Sequence, residues 1–167
     1  ILGAQAIGNS GADKRIDVIA TAMRAGLKAS ELIELDLSYA PQFGSAKDPV
    51  NMLGYINANQ HSKESATVQW HEVDALVAAG TQLIDVRTAS EHAKDSISGS
   101  INIDLDTLRD HIGEIEQGAI VHCAVGQRGY LATRLLAGYG ITTANLDGGI
   151  STYRAGSAVK AVATQSA

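Results

Sequence analysis

Cysteine is nearly absent from this chain: Cys123 is the only one among 167 residues. No internal disulfide can form, and without a second thiol neither a zinc knuckle nor a Cys-x-x-Cys redox pair can be assembled. Whatever Cys123 does, it does without a resolving cysteine from the same chain. Basic residues are outnumbered, 13 against 18 acidic, for a formal net charge of -5. Lysine and arginine nowhere cluster as a phosphate-backbone binder requires, so no nucleic-acid partner is expected. Apolar runs fall short of the roughly 18 to 20 residues that span a bilayer, and the start has no basic segment leading into an apolar stretch. These absences point to a soluble, cytoplasmic chain with no membrane partner. His71, His92 and His111 are scattered without metal-ligand spacing, so no metal is assigned.

What remains is ample for a core. Hydrophobic residues make up 45% of the chain, enough for one domain, or for a domain of about 100 residues with an appendage. Ile1 to Gly8 reads as a strand. From Asp13, placed to cap, the positions Ile16, Ile19, Ala20, Met23 and Leu27 recur at helical spacing, with Gly26 near the end. A second short helix is expected from a Ser30 cap, and Tyr39 to Pro49 reads as irregular, with both prolines inside it. Gln60 to Ala66 is polar and is the linker candidate, placing a boundary near residue 65.

Beyond it, strands and helices alternate. Strands are expected at Val68–Trp70, Gln82–Val86, Ile101–Leu105, Ala119–Val121 and Thr142–Leu146. Helices are expected at His71–Ala79, near Leu108–Ile115, from Arg128 to Tyr139, and as a last short helix. This is an α/β pattern, a mostly parallel sheet with helices on both faces, in which chemistry gathers at the carboxyl ends of strands.

Cys123 stands at one of those ends, just before a helix, where main-chain N–H groups converge and the helix dipole favours an anion. Gly126 and Gly129 let the backbone curl into an anion-holding nest. Arg128, five positions on, supplies a fixed cation with planar donors. Together these are expected to lower the thiol pKa below its reference of about 8.5. An inert buried thiol is the alternative. His122 is expected to face away from Cys123, because neighbouring strand residues alternate faces. Asp85 and Arg87 either support the cradle or form an ordinary ion pair, and Trp70 reads as core.

The spacing of Cys123, four residues, Arg128 and Gly129 resembles the active-site loop of rhodanese sulfurtransferases. Leu83-Ile84-Asp85-Val86-Arg87, Glu91-His92, Ile97 to Asn102, and Leu146 to Ile150 with Tyr153 are similar to further motifs of that family, in order. Asp95, Ser96 and Ser98 depart from it. The resemblance covers about residues 66–160 and implies a rhodanese-like domain there, with residues 161–167 as a tail. It implies that Cys123 is catalytic and forms a cysteine persulfide from thiosulfate, a persulfide or a polysulfide, then passes the sulfur to a thiol. Ala124, Val125, Gly126, Gln127, Arg128 and Gly129 would bind substrate, with Asp85 and Arg87 as supporting residues. Four residues rather than five before the arginine favour sulfur over phosphate. The alternatives are a non-catalytic sulfur-carrier docking module and phosphatase or arsenate reductase-like anion chemistry.

Residues 1–65 resemble the end of the dimerisation domain of flavin-dependent pyridine nucleotide-disulfide oxidoreductases, in the coenzyme A-disulfide reductase and NADH oxidase branch. The matching strings are Ile1 to Gln5, Asp13 to Asp17, Leu35 to Pro41 and Ser45 to Asn51. The resemblance implies an incomplete α+β dimerisation segment plus linker. No glycine-rich dinucleotide fingerprint is present, so no cofactor is expected in this fragment and no reductase activity. FAD, NAD(P)H and coenzyme A belong to the parent, whose reductase domains would be partners. A homodimer is one option, with Ile1 to Ile7 exposed, disordered or paired with another copy. Tyr39 and Tyr55 are candidates to approach a partner's active site, with packing as the alternative.

Overall fold

A computed structural model describes the backbone of residues 1–165 and the side chains of residues 1–160. The chain divides into two compact units, Ile1–Glu64 and the residues from Ser65 onward.

In the first unit, helix α1 spans Ala12–Arg24. It closes where Leu27 donates its N–H to the Ala22 carbonyl at 3.0 Å, a return made possible by Gly26 at φ 77°. Helix α2 spans Pro49–His61, with proline in its first turn and the Asp48 carboxylate accepting from Val50 N–H. Between them Ala29–Glu34 form a 3-10 turn. There the sequence reading is corrected: the cap is Lys28, whose N–H donates to Glu31 at 2.6 Å, and not Ser30. Ile19, Ala22, Leu32 and Val50 make a small core with Ile1 packed against it. Asn51 Nδ2 donates to the carbonyls of Leu32 and Leu35, both at 2.9 Å, tying α2 to the turn.

Two further expectations fail in this unit. Ile1–Gly8 form no strand, and Leu2 and Ile7 are fully exposed, because a strand needs a hydrogen-bonding partner that apolar composition alone does not supply. Gln60 and His61, read as linker, are the last turn of α2.

The second unit is built on five strands, β1 (Ala66–Val68), β2 (Leu83–Asp85), β3 (Ser100–Asn102), β4 (Ala119–His122) and β5 (Thr143–Leu146), in the order β1-β5-β4-β2-β3. Every pairing is parallel. Alternation along β2 and β4 sends Ile84, Val86, Ala119 and Val121 to one core and Leu83 and Ile120 to the other. The flanking helices are α3 (Val73–Ala78), α4 (Ala89–Lys94), α5 (Gln127–Gly138) and α6 (Gly149–Gln165).

Several boundaries differ from the sequence reading. Strand β1 starts at Ala66 rather than Val68, Leu108–Glu114 is a 3-10 turn, and α4 is a helix that the sequence reading does not contain. The last helix is long and runs through residues 161–165 of the segment read as a tail, while residues 166–167 lie outside the described residues. Gly156 lets α6 lie flat on the Trp70 indole, whose ring a Cβ there would penetrate. No helix among the described residues is long and apolar enough to cross a membrane.

Candidate functional site

Strand β4 delivers Cys123 to the carboxyl edge of the sheet, on the face that also buries Val121 and Ala119. The side chain is almost fully enclosed, with the residue 1% exposed. Gly126, at φ 98°, reverses the chain and caps α5. Its N–H donates to the Cys123 sulfur at 3.2 Å. Thus one amide of the expected cradle points at Sγ, and the positive end of a twelve-residue helix begins beside it.

Two elements clamp this loop. From β5, Asn145 Nδ2 donates to the Gly126 carbonyl at 3.1 Å. From the first turn of α6, Ile150 N–H donates to the Cys123 carbonyl at 2.9 Å and Ser151 N–H to the Ala124 carbonyl at 3.1 Å. The packing is tight enough that a Cβ on Gly149 would overlap the main chain of Cys123 and Ala124, and one on Gly129 would overlap Asn145 Oδ1. Ala124 is half-buried, whereas Val125 and Gln127 are exposed at the rim.

Arg128 does not stand free above the thiol. Its guanidinium forms a fork with Glu91, Nη1 to Oε2 at 2.8 Å and Nη2 to Oε1 at 2.6 Å. About a third of each side chain remains exposed. The Glu91 carboxylate raises the Arg128 pKa, and the Cys123 sulfur adds a smaller contribution in the same direction. Reciprocally, the Arg128 hydrogen bonds, helped by Thr88, hold Glu91 down at about 2. Glu91 is itself fixed as the third residue of α4 in a reciprocal capping box with Thr88.

Asp85 and Arg87 pair with each other, Nη2 to Oδ2 at 2.7 Å. Around them, His92 Nδ1 meets Asp85 Oδ2 at 2.8 Å and Arg87 Nη2 donates to the Asp95 carbonyl at 2.5 Å. Their contacts run to α4 and the turn that follows it rather than to the thiol loop. Burial pushes the Asp85 carboxyl up, but the hydrogen bonds from Arg87 and His92 outweigh it and leave the group below its ordinary value. His122 is fully buried on the face opposite Cys123, with its Nδ1 3.9 Å from Asp85 Oδ1. Burial lowers its pKa more than the Asp85 charge raises it, and neither ring nitrogen makes a hydrogen bond of ordinary geometry.

Sequence reasoning leaves Glu91 and Asn145 out of the site. The Thr88-x-x-Glu91 box is a legible signal for the first. Nothing local marks Asn145. In the first unit Tyr39 and Tyr55 are both about half exposed. Among the described residues no group of three or more His, Cys, Asp or Glu side chains is placed to hold a metal.

Comparison with known proteins decides the family. The rhodanese-like domain family matches residues 69–155, more than half of the chain. The chain belongs to the rhodanese-like domain family. The match takes in β2 to β5, the thiol loop and Glu91. Over 86% of its length the chain superposes on the crystal structure of reduced Bacillus anthracis CoADR-RHD, at TM-score 0.83 and 49% identity, covering 26% of that chain. A NAD-dependent persulfide reductase from A. fulgidus is similar at TM-score 0.76 and 30% identity, with 87% of this chain and 26% of that one covered. Coenzyme A disulfide reductase from Staphylococcus aureus is 51% identical over 55 residues, 33% of this chain and 13% of that protein. The rhodanese-like chain thus spans about a quarter of each of these two solved reductases and a smaller share of the curated one. It has a sulfurtransferase-type fold and matches a rhodanese domain fused within the coenzyme A disulfide reductase and persulfide reductase branch.

Proposed function

We propose that Cys123 is the nucleophile of a sulfurtransferase site within a coenzyme A disulfide, persulfide or polysulfide reductase. The observation that carries this reading is the sulfur lodged at the junction of β4 and α5 with the Gly126 N–H on it at 3.2 Å. In the first half-reaction the Cys123 thiolate attacks the outer sulfur of thiosulfate. The S–S bond of the donor breaks, its electron pair leaves with sulfite, and Cys123 carries a persulfide anion. In the second, an acceptor thiolate attacks that outer sulfur, and the electron pair of the breaking bond returns to Cys123.

The loop amides of Ala124 to Gly129 and the positive end of α5 stabilise the persulfide anion. Arg128 has five N–H donors, of which two are committed to Glu91, so it keeps donors for the donor's anionic group. Asp85 and Arg87 act indirectly, by fixing α4. FAD and NAD(P)H do not fit the residues of this chain, which contain no glycine-rich dinucleotide loop, and no step is routed through them; on this reading they and the reductase domains belong to a longer parent protein. An unpaired thiol suits a reducing compartment, hence a cytoplasmic one.

Intact-mass measurement after thiosulfate treatment tests the reading. The expected result is a gain of one sulfur atom that the Cys123→Ser variant does not show. A wild-type chain that takes up sulfur from neither thiosulfate nor a hydropersulfide overturns it.

A further inference from the structure

The charge of Arg128, beside the thiol loop, is already answered within the chain. The Glu91 fork uses both terminal nitrogens of the guanidinium. Glu91 Oε2 also accepts from Thr88 N–H at 3.2 Å and Thr88 Oγ1 at 3.0 Å. The helix that carries Glu91 is held by Asp85 through His92 and by the Arg87 bond to the Asp95 carbonyl. The carboxylate is therefore positioned from two sides, at a place about one third exposed where a substrate would meet Arg128.

Resting on the sulfurtransferase reading, we infer that Glu91 is a specificity-determining residue that biases Cys123 toward a less negatively charged sulfane donor, an organic hydropersulfide reacting in its protonated form, and away from dianionic thiosulfate. A dianion approaching Arg128 must share the guanidinium with the carboxylate or displace it, and it is repelled by Glu91 in either case. A hydropersulfide, R–S–S–H, meets a neutral ion pair. Its outer sulfur is attacked by the Cys123 thiolate, the S–S bond of the donor breaks, and R–S⁻ leaves with the electron pair while the proton stays on the new Cys123–S–S–H. Charge balances without a cation reserved for the donor. The exposed apolar side chain of Val125 at the same rim adds no charge that would favour an anion.

The test compares sulfur loading of Cys123 from thiosulfate and from cysteine hydropersulfide, by time-resolved intact mass, in the full chain and its Glu91→Gln variant. Removing one unit charge beside a dianion in a partly screened site should raise the loading efficiency with thiosulfate roughly 3- to 10-fold, in the concentration for half-maximal rate rather than in the maximal rate. Loading from cysteine hydropersulfide should change by less than about twofold, and added salt should shrink the thiosulfate effect. Glu91→Asp, which keeps the charge, should keep the wild-type donor ratio. A Glu91 that merely props up the loop would slow both donors together in Glu91→Gln, and an unchanged or lowered thiosulfate-to-hydropersulfide ratio overturns the inference. Wild-type chain that loads sulfur from neither donor removes the underlying reading of Cys123 instead, so the two failures are distinct.

Discussion

Gly149→Ala should damage the site from outside it, because Gly149 lies where the start of α6 presses on the thiol loop. Its φ is 60°, a left-handed conformation that costs an L-residue roughly 1–2 kcal/mol. The added Cβ would overlap the Cys123 carbonyl oxygen and lie 2.7 Å from the Ala124 carbonyl carbon and oxygen. Those are main-chain atoms and cannot rotate aside. Forced repacking of this kind costs about 1–3 kcal/mol, and it strains the Ile150 and Ser151 hydrogen bonds that hold the loop. Loss of glycine's freedom in the unfolded chain returns about 0.4–1 kcal/mol. The net destabilisation is about 2–4 kcal/mol.

Gly148→Ala is the control. Its φ of 69° is equally left-handed, but its Cβ meets only the side chain of Thr152, so the left-handed cost of about 1–2 kcal/mol less the same return of about 0.4–1 kcal/mol leaves roughly 0–1.6 kcal/mol. Urea unfolding read by the fluorescence of Trp70, the only tryptophan and one packed on a core of the second unit, measures both variants. Sulfur loading in the same samples should fall further for Gly149→Ala than for Gly148→Ala. A Gly149→Ala chain within about 0.5 kcal/mol of wild type, the range of ordinary surface substitutions, and with unchanged loading would refute the argument that α6 positions the thiol loop.

Asn145→Ala removes the side-chain donor to the Gly126 carbonyl, which keeps only the Tyr130 N–H at 2.9 Å. A loss of about 1 kcal/mol is expected, with slower loading of Cys123 because the amide that faces Sγ is less firmly held. Loading at the wild-type rate would remove Asn145 from the site. Glu91, depressed from 4.5 to about 2 by Arg128, stabilises the fold above its unfolded value and loses that contribution as pH falls from 4.5 to about 2. The difference in urea midpoint between wild type and Glu91→Gln should therefore close over that acid range, and a difference independent of pH would contradict the ion-pair account.

The parts of the molecule that announce themselves locally are legible in the order of the residues. The apolar run ending at Val121, the lone thiol, the glycine at 126 and the amphipathic stretch behind it place a strand, a reversal and a helix, because each depends on periodicity and on backbone freedom within a few residues. Helix α4 escapes such a reading for a physical reason: it has no buried residue and so no apolar stripe, only a capping box. The apolar run at Ile1–Gly8 misleads for the converse reason, since strand propensity is realised only against a partner.

The family resemblance and the alternation of strands and helices are thus set by residue order alone, as is the spacing of Cys123 and Arg128. The order of strands across the sheet is not. Placing β4 between β5 and β2 brings Asn145 beneath Gly126 from 19 positions away and Glu91 onto Arg128 from 37. Such encounters arise from packing, in which two distant side chains meet because their elements share one edge of the sheet. They decide how the loop is held and what charge its arginine has left to offer a substrate.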